Sequence, residues 1–86
     1  ETKFDLVYSC TALMLNKEVT EIIKEMGNLS RRYVIFLEAR KNLHWAYKHP
    51  YEEILSKEGF SLEEKINLRT KGSPLTFWLF RKRRNQ

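Results

Sequence analysis

The fold of this chain depends on how residues 31–48, RRYVIFLEARKNLHWAYK, are interpreted. The run at 33–37 is apolar and rich in β-branched and aromatic residues, which is typical of a central strand. The run at 37–43 consists mostly of good helix formers, and no glycine or proline interrupts the whole segment. Because no turn signal separates the two runs, we expect one continuous helix whose apolar first half lies in the core.

An amphipathic helix is predicted just before this segment. Apolar residues recur at helical spacing from Val19 to Met26, and charged residues lie on the opposite side. Asn16 is placed to cap the start of this helix, and Gly27 is suited to end it.

Two more helix starts follow residue 48. Pro50 suits the first turn of a short helix over 50–58, and Gly59 is suited to end it. Ser61 and Glu64 have the spacing of a capping box, which predicts that another helix begins there.

The last third of the chain has the connectivity of a helix-turn-helix. Helices are predicted over 62–70 and 74–84, and Gly72 lies in the short turn between them. Pro74 fits the first position of the second helix. The apolar residues at the start of that helix are unsuited to hydrogen bonding with base edges, so we expect contacts to phosphates rather than base-specific contacts.

We therefore predict an all-α fold, a compact bundle of four to five short helices. A chain of 86 residues is too short for two domains, so 1–86 is expected to be a single helical domain, either complete or a fragment of a longer chain. The alternative is an α+β fold with a small sheet formed by residues 4–10, 33–39 and 75–80.

Composition excludes several classes of protein. Apolar residues make up 42% of the chain and charged residues 31%, which is typical of neither a disordered nor a membrane protein. The longest apolar run is far shorter than the ~20 residues of a membrane-spanning helix. We see no signal-peptide pattern and therefore expect an intracellular protein, nuclear or cytoplasmic. The single cysteine, Cys10, excludes an internal disulfide and a cysteine-clustered zinc site.

The sequence predicts no enzyme. His44 and His49 are spaced wrongly for two metal ligands on one helix face. The paired acids at 52–53 and 63–64 are explained by the dipoles of the predicted helices, and no glycine-rich phosphate loop is present. We therefore expect no catalytic residues, no cofactor and no metal.

The positive charge predicts an anionic partner. The formal net charge is +5, and residues 69–86 contain six cations and no acid. If the basic segments meet on one side of the fold, they would attract phosphates or an acidic protein surface. We therefore predict a small DNA-binding or other nucleic-acid-binding module with a role in transcription regulation. The predicted contact residues are Arg31, Arg32, Arg40, Lys41, Arg69, Lys71, Arg81, Lys82, Arg83 and Arg84.

The alternative function is a protein–protein interaction or oligomerisation domain, including a homo-oligomer. Exposed aromatic side chains would form the centre of such an interface. The candidate interface aromatics are Trp45, Tyr47, Tyr51, Trp78 and Phe80.

Overall fold

A computed structural model describes residues 3–69 and 72–83. The elements in chain order are β1 (Phe4–Cys10), a 3-10 turn (Leu13–Leu15), α1 (Thr20–Leu29), β2 (Ser30–Ala39), α2 (Tyr51–Lys57), β3 (Phe60–Asn67) and β4 (Leu75–Lys82).

The four strands form one sheet in the order β1-β2-β4-β3. β1 and β2 are parallel, whereas β4 runs antiparallel to both β2 and β3. The all-α prediction is therefore wrong, and the fold is a mixed α+β fold. The three segments of the alternative sheet coincide with β1, with most of β2 and with most of β4.

The apolar run of β2 explains why the long central helix does not form. Val34 and Phe36 are fully buried on one face of the strand, and Ile35 is half-buried on the other. A strand paired on both sides can bury alternate residues of such a run under the helices, whereas a helix would need apolar neighbours on every side. Within residues 40–50 only an isolated bridge between Leu43 and Ala46 forms, so the helix formers there do not extend a helix.

The helix-turn-helix prediction is also wrong. Ser61 and Glu64 lie on β3, where they pair with Arg81 and Leu79 of β4 instead of capping a helix. The described residues of the two predicted helices form a β-hairpin. Capping residues favour a helix start only when the following segment has no partner strand, and here apolar β4 provides one.

Both helices cover the same face of the sheet. Their apolar residues pack against the strands in one core cluster, which comprises Leu13, Val19, Ile23, Met26, Val34, Phe36, Tyr51, Ile54, Leu55, Phe60, Trp78 and Phe80. α1 connects the parallel strands β1 and β2, and α2 lies between β2 and β3. Gly59, with φ of +93°, follows the end of α2 as the sequence predicts, but the next element is β3 and not the predicted helix. Among the described residues, no helix is long and apolar enough to cross a membrane.

Candidate active site

The candidate site lies at the carboxyl ends of the parallel strands β1 and β2. Cys10 pairs with Leu37, so the two strands end side by side. Open α/β sheets bind ligands outside the carboxyl ends of their strands. The segments that follow the strands, residues 11–19 and 40–50, therefore form the walls of the site.

A buried carboxylate orders the first of these segments. Glu38, near the end of β2, is fully buried. It accepts a hydrogen bond from the Ser9 hydroxyl and two from backbone N–H groups, Ala12 at 3.3 Å and Met14 at 3.1 Å. Its oxygens are thus occupied within the chain, so Glu38 is a positioning residue that fixes the path of the chain after β1.

The residue that directly follows β1 has unusual backbone geometry. Thr11 has φ of +49°, in the left-handed region that β-branched residues rarely adopt. Its N–H donates to the Leu37 carbonyl at 2.8 Å, and its hydroxyl donates to the Cys10 carbonyl at 2.8 Å. Strained residues that the surrounding structure holds in place concentrate at functional sites. The strained turn at Thr11 is therefore held in place by these hydrogen bonds, at the carboxyl ends of β1 and β2.

Hydrogen bonds hold the second wall of the site, residues 40–50, against the first, residues 11–19. The Tyr47 N–H donates to the Met14 carbonyl at 2.6 Å. Nε2 of the buried His49 lies 3.0 Å from the Leu13 carbonyl. Because a carbonyl oxygen only accepts, this contact places a proton on Nε2. The two segments thus form one layer across the carboxyl ends of β1 and β2.

A row of rings continues from this layer into the core. Ring centroids are 5.9 Å apart for His49 and Tyr51, and 4.9 Å apart for Tyr51 and Trp78. The Tyr51 hydroxyl and the Trp78 indole N–H are buried and have no hydrogen-bond partner among the described residues. Burial, and to a lesser extent the negative charge of Glu38, raises the pKa of Tyr51 above its usual range. Tyr51 is therefore a neutral phenol at physiological pH.

These rings line a cavity of about 400 Å³ at the same end of the sheet. The rest of the lining consists of Pro50 and of charged side chains, which are Arg40, Lys48, Glu52, Glu53 and Lys65. Glu52 pairs with Lys65 at 3.3 Å, and Glu53 pairs with Lys57 at 3.7 Å. Among the described residues Lys48 has no ion-pair partner, so the cavity keeps an excess of positive charge.

Arg40 holds this end of the sheet together. Its guanidinium donates to the carbonyls of Leu75 at 2.6 Å and Ser73 at 2.9 Å. Its backbone N–H donates to the Pro74 carbonyl at 3.0 Å. The side chain therefore joins the end of β2 to the segment that enters β4, and its charge remains beside the cavity.

The sheet separates the predicted basic residues into two groups. Arg31 and Arg32 lie beside Arg81, Lys82 and Arg83 around a cleft of about 550 Å³ at the amino end of β2. Residues Arg40, Lys41 and Arg69 follow the carboxyl ends of β2 and β3, roughly 26 Å away along an extended strand. Lys71 and Arg84 lie outside the described residues.

Several cations of the first group have partners within the chain. Arg31 is 3.1 Å from the Asp5 carboxylate. The Arg83 guanidinium donates to the carbonyls of Phe60 and Ser56, both at 2.7 Å. That these residues bind an anionic partner stays a prediction.

The predicted interface aromatics also divide into two groups. Trp45 and Tyr47 are exposed, in the segment after β2. In contrast, Tyr51, Trp78 and Phe80 are buried, because they face the helix-covered side of the sheet. The exposure that the sequence predicts for these three side chains is therefore wrong.

The sequence analysis missed Glu38, Ser9 and Tyr51 as members of the site. One signal was available for Glu38, which is the only acid between residues 30 and 49 and follows an apolar run. A carboxylate in register with the buried residues of a strand needs hydrogen-bond donors.

Among the described residues there is no cluster of side chains that would hold a metal ion.

No family model matches this chain, and no curated protein matches it. Its fold is similar to that of magnesium protoporphyrin IX methyltransferase (ChlM) from Synechocystis PCC 6803, in structures with bound SAH and with bound SAM. The SAH-bound structure matches with a TM-score of 0.82 at 21% identity, over 95% of this chain and 46% of that one. The SAM-bound structure matches with a TM-score of 0.80 at 22% identity, over 95% of this chain and 40% of that one.

This likeness corrects the functional predictions. The chain spans less than half the length of the methyltransferase chains it matches. The likeness contradicts the prediction of a nucleic-acid-binding transcription regulator, because the helical bundle on which that prediction depended is replaced by a sheet that is similar to part of a methyltransferase structure. The prediction that the chain is no enzyme is contradicted in the same way. At this identity the likeness establishes the fold alone.

Proposed function

We propose that this chain forms the methyl-acceptor side of an S-adenosylmethionine-dependent methyltransferase. The observation that carries the proposal is the network of Glu38 with Ser9, Ala12 and Met14. It fixes the chain where the parallel strands end, which is where such sheets bind ligands. It occurs in a chain whose fold matches part of two methyltransferase structures.

The residues present do not fit a complete site for the cofactor. A nucleoside cofactor is commonly held by a glycine-rich turn and by a carboxylate directed at its ribose. Residues 11–19 and 40–50 contain no glycine, and the Glu38 carboxylate is occupied by three donors of the chain itself. We therefore assign to this chain the side of the site that faces the acceptor.

The 400 Å³ cavity supports an acceptor that is anionic and has an apolar part. The Tyr51 and Trp78 rings, whose centroids are 4.9 Å apart, contribute the apolar part of the cavity lining. The charges of Arg40 and Lys48 favour a carboxylate or phosphate on the same molecule. An intracellular location, nuclear or cytoplasmic, remains part of the proposal.

The test uses a hybrid in which this chain replaces the part of Synechocystis ChlM that it matches. Calorimetry measures SAH binding, and methyl-labelled SAM is offered with aromatic carboxylates and aryl phosphates as acceptors. We expect the hybrid to bind SAH and to transfer label to an anionic acceptor. Glu38→Gln should raise the KM for the anionic acceptor at least about tenfold, because the charged acceptor of the three hydrogen bonds that shape the acceptor side is lost.

Glu64→Gln is the matched control, because Glu64 is an exposed glutamate on β3. Lys48→Met should raise the KM for the anionic acceptor and leave SAH binding unchanged. A folded hybrid that binds SAH but transfers no label contradicts the proposal. Equal effects of Glu38→Gln and Glu64→Gln would contradict the role given to the Glu38 network.

A further inference from the structure

The cleft at the amino end of β2 lies outside the candidate active site. Its volume is about 550 Å³, and it lies at the other end of β2 from the cavity beside Arg40. Five of its described lining residues are cations, and one, Glu63, is an acid. Asp5, which is not part of the lining, neutralises Arg31. The described residues therefore leave the cleft with an excess of three positive charges.

One row of side chains across the sheet supplies hydrogen-bond donors to the cleft. Arg81 of β4 pairs with Tyr33 of β2 and with Ser61 of β3, and all three residues line the cleft. Neighbouring strands are about 4.8 Å apart, and paired residues lie on the same face. Phe80, the residue before Arg81, is buried in the core beneath the helices, so the row lies on the opposite face. The row thus places a guanidinium between two hydroxyl groups.

Two further cations of the cleft are held in place by contacts within the chain. Nζ of Lys82 lies 5.4 Å from the centroid of the Phe60 ring. The Arg83 guanidinium donates to the carbonyls of Phe60 and Ser56, both at 2.7 Å. Because these carbonyls and the ring carry no net charge, the contacts position the two cations without neutralising them. A ligand would therefore lose less affinity to the ordering of these side chains.

The remaining cations are exposed and open to a ligand. Arg32 and Arg81 are exposed, and neither has an ion-pair partner among the described residues. A guanidinium donates through a planar fork that matches two oxygens of a phosphate group. The hydroxyls of Tyr33 and Ser61 are suited to donate to its other oxygens. The donors of this cleft therefore match a phosphate in both charge and hydrogen bonding.

We propose that the cleft binds a small phosphorylated ligand with a diphosphate group. A single phosphate ester carries only about 1.5 to 2 negative charges, so a second phosphate is needed to match an excess of three positive charges. A concave site lined by charges of one sign concentrates its potential on a compact group, which favours this ligand over an acidic protein surface. The cleft is remote from the acceptor cavity, so this binding does not depend on the proposed methyltransferase function.

Isothermal titration calorimetry of the chain with inorganic pyrophosphate tests the proposal. We expect one site per chain, with binding at least about tenfold tighter than that of inorganic phosphate. Arg81→Gln should weaken pyrophosphate binding at least about tenfold, because it removes both a charge and the fork. Arg69→Gln is the matched control, since it makes the same change at an exposed residue that does not line the cleft. It should weaken binding less than about twofold, and circular dichroism checks that both variants are folded.

A second pair of variants should show a gain of affinity, which a loss of folding cannot produce. Glu63→Gln removes the acid from the cleft lining and should tighten pyrophosphate binding about threefold or more. Glu64→Gln is the control, because Glu64 is also exposed on β3 but pairs with Leu79 and does not line the cleft. Its effect should be clearly smaller.

The proposal is overturned if pyrophosphate does not bind, if Arg81→Gln and Arg69→Gln weaken binding equally, or if Glu63→Gln has no more effect than Glu64→Gln. It is also overturned if Lys48→Met removes the binding and Arg81→Gln does not, because the anion would then occupy the acceptor cavity. Tighter binding of a polyglutamate peptide than of pyrophosphate would assign the cleft to an acidic protein instead. Because none of these measurements uses SAM or a methyl acceptor, their failure would leave the proposed function standing.

Discussion

The backbone N–H of Met14 donates to the Glu38 carboxylate at 3.1 Å, so the segment after β1 is fixed to the neighbouring strand. The contact is buried, and both residues lie in the interior. A charged acceptor inside the protein strengthens each hydrogen bond that it accepts. The shape of the candidate site therefore depends on one side chain of β2.

Removal of this side chain should destabilise the whole domain. Glu38→Ala leaves the Ser9 hydroxyl and the N–H groups of Ala12 and Met14 without their acceptor. We expect a loss of about 3 kcal/mol in the free energy of unfolding, measured by urea denaturation. Glu64→Ala, on the exposed edge, should cost less than about 1 kcal/mol. Similar losses for the two variants would contradict the positioning role.

Arg40 should not be replaceable by lysine. Arg40→Lys keeps the charge but loses the planar fork that donates to the carbonyls of Ser73 and Leu75. We expect a loss of about 1–3 kcal/mol in the free energy of unfolding. Arg32→Lys, an exposed change for which no side-chain hydrogen bond is found among the described residues, serves as the control. An Arg40→Lys variant with an unchanged free energy of unfolding would show that the guanidinium hydrogen bonds do not stabilise the fold.

The buried tyrosine should make the protein sensitive to alkali. The pKa of Tyr51 is raised by burial and secondarily by Glu38, so the folded chain holds this proton more tightly than the unfolded chain. The resulting stability is fully present below about pH 10, the ordinary tyrosine pKa, and is lost as the pH rises above it. Tyr51→Phe should therefore show a smaller fall in unfolding free energy between about pH 9 and about pH 11.

The same variant should be tolerated at neutral pH. The Tyr51 hydroxyl is buried and has no partner among the described residues, so its removal breaks no hydrogen bond in the described chain. We expect a change of less than about 1 kcal/mol, in either direction. Tyr8→Phe, at a 70% exposed position, is the control and should keep the alkaline slope of the parent chain. An unchanged slope in Tyr51→Phe would contradict the prediction.

The contact between Phe36 of β2 and Tyr51 of α2 should contribute strongly to the free energy of unfolding. Phe36 is fully buried, with ring centroids 4.5 Å from Tyr51 and 5.8 Å from Phe80. Phe36→Ala should cost about 3–5 kcal/mol, which is enough to unfold a domain of this size at 37 °C. Circular dichroism measures the loss, and Phe4→Ala, at a 54% exposed residue of β1, should change little. A cooperative thermal transition unchanged by Phe36→Ala would place the core elsewhere.

Local patterns predicted the helices better than the strands. The apolar spacing from Val19 to Met26 corresponds to α1, and Pro50 and Gly59 enclose α2. These signals depend only on neighbours in the sequence. The capping-box spacing of Ser61 and Glu64 is also local, yet it fails because β3 is stabilised by pairing with β4.

The site was less predictable than the fold. Glu38 and Met14 are 24 residues apart, and His49 contacts Leu13 across 36 residues. Nothing in either local sequence indicates the other partner. The separation of Arg31 from Arg40 follows directly once 30–39 is a strand, because an extended chain places its two ends on opposite sides of the molecule.

The strand order has a consequence for how the protein is made. β4 lies between β2 and β3, although it is synthesised after both. Until it emerges from the ribosome, β2 lacks its antiparallel neighbour and β3 has no partner in the sheet. The growing chain thus exposes unpaired strand edges until β4 pairs with both strands, a state in which nascent proteins aggregate or require chaperones.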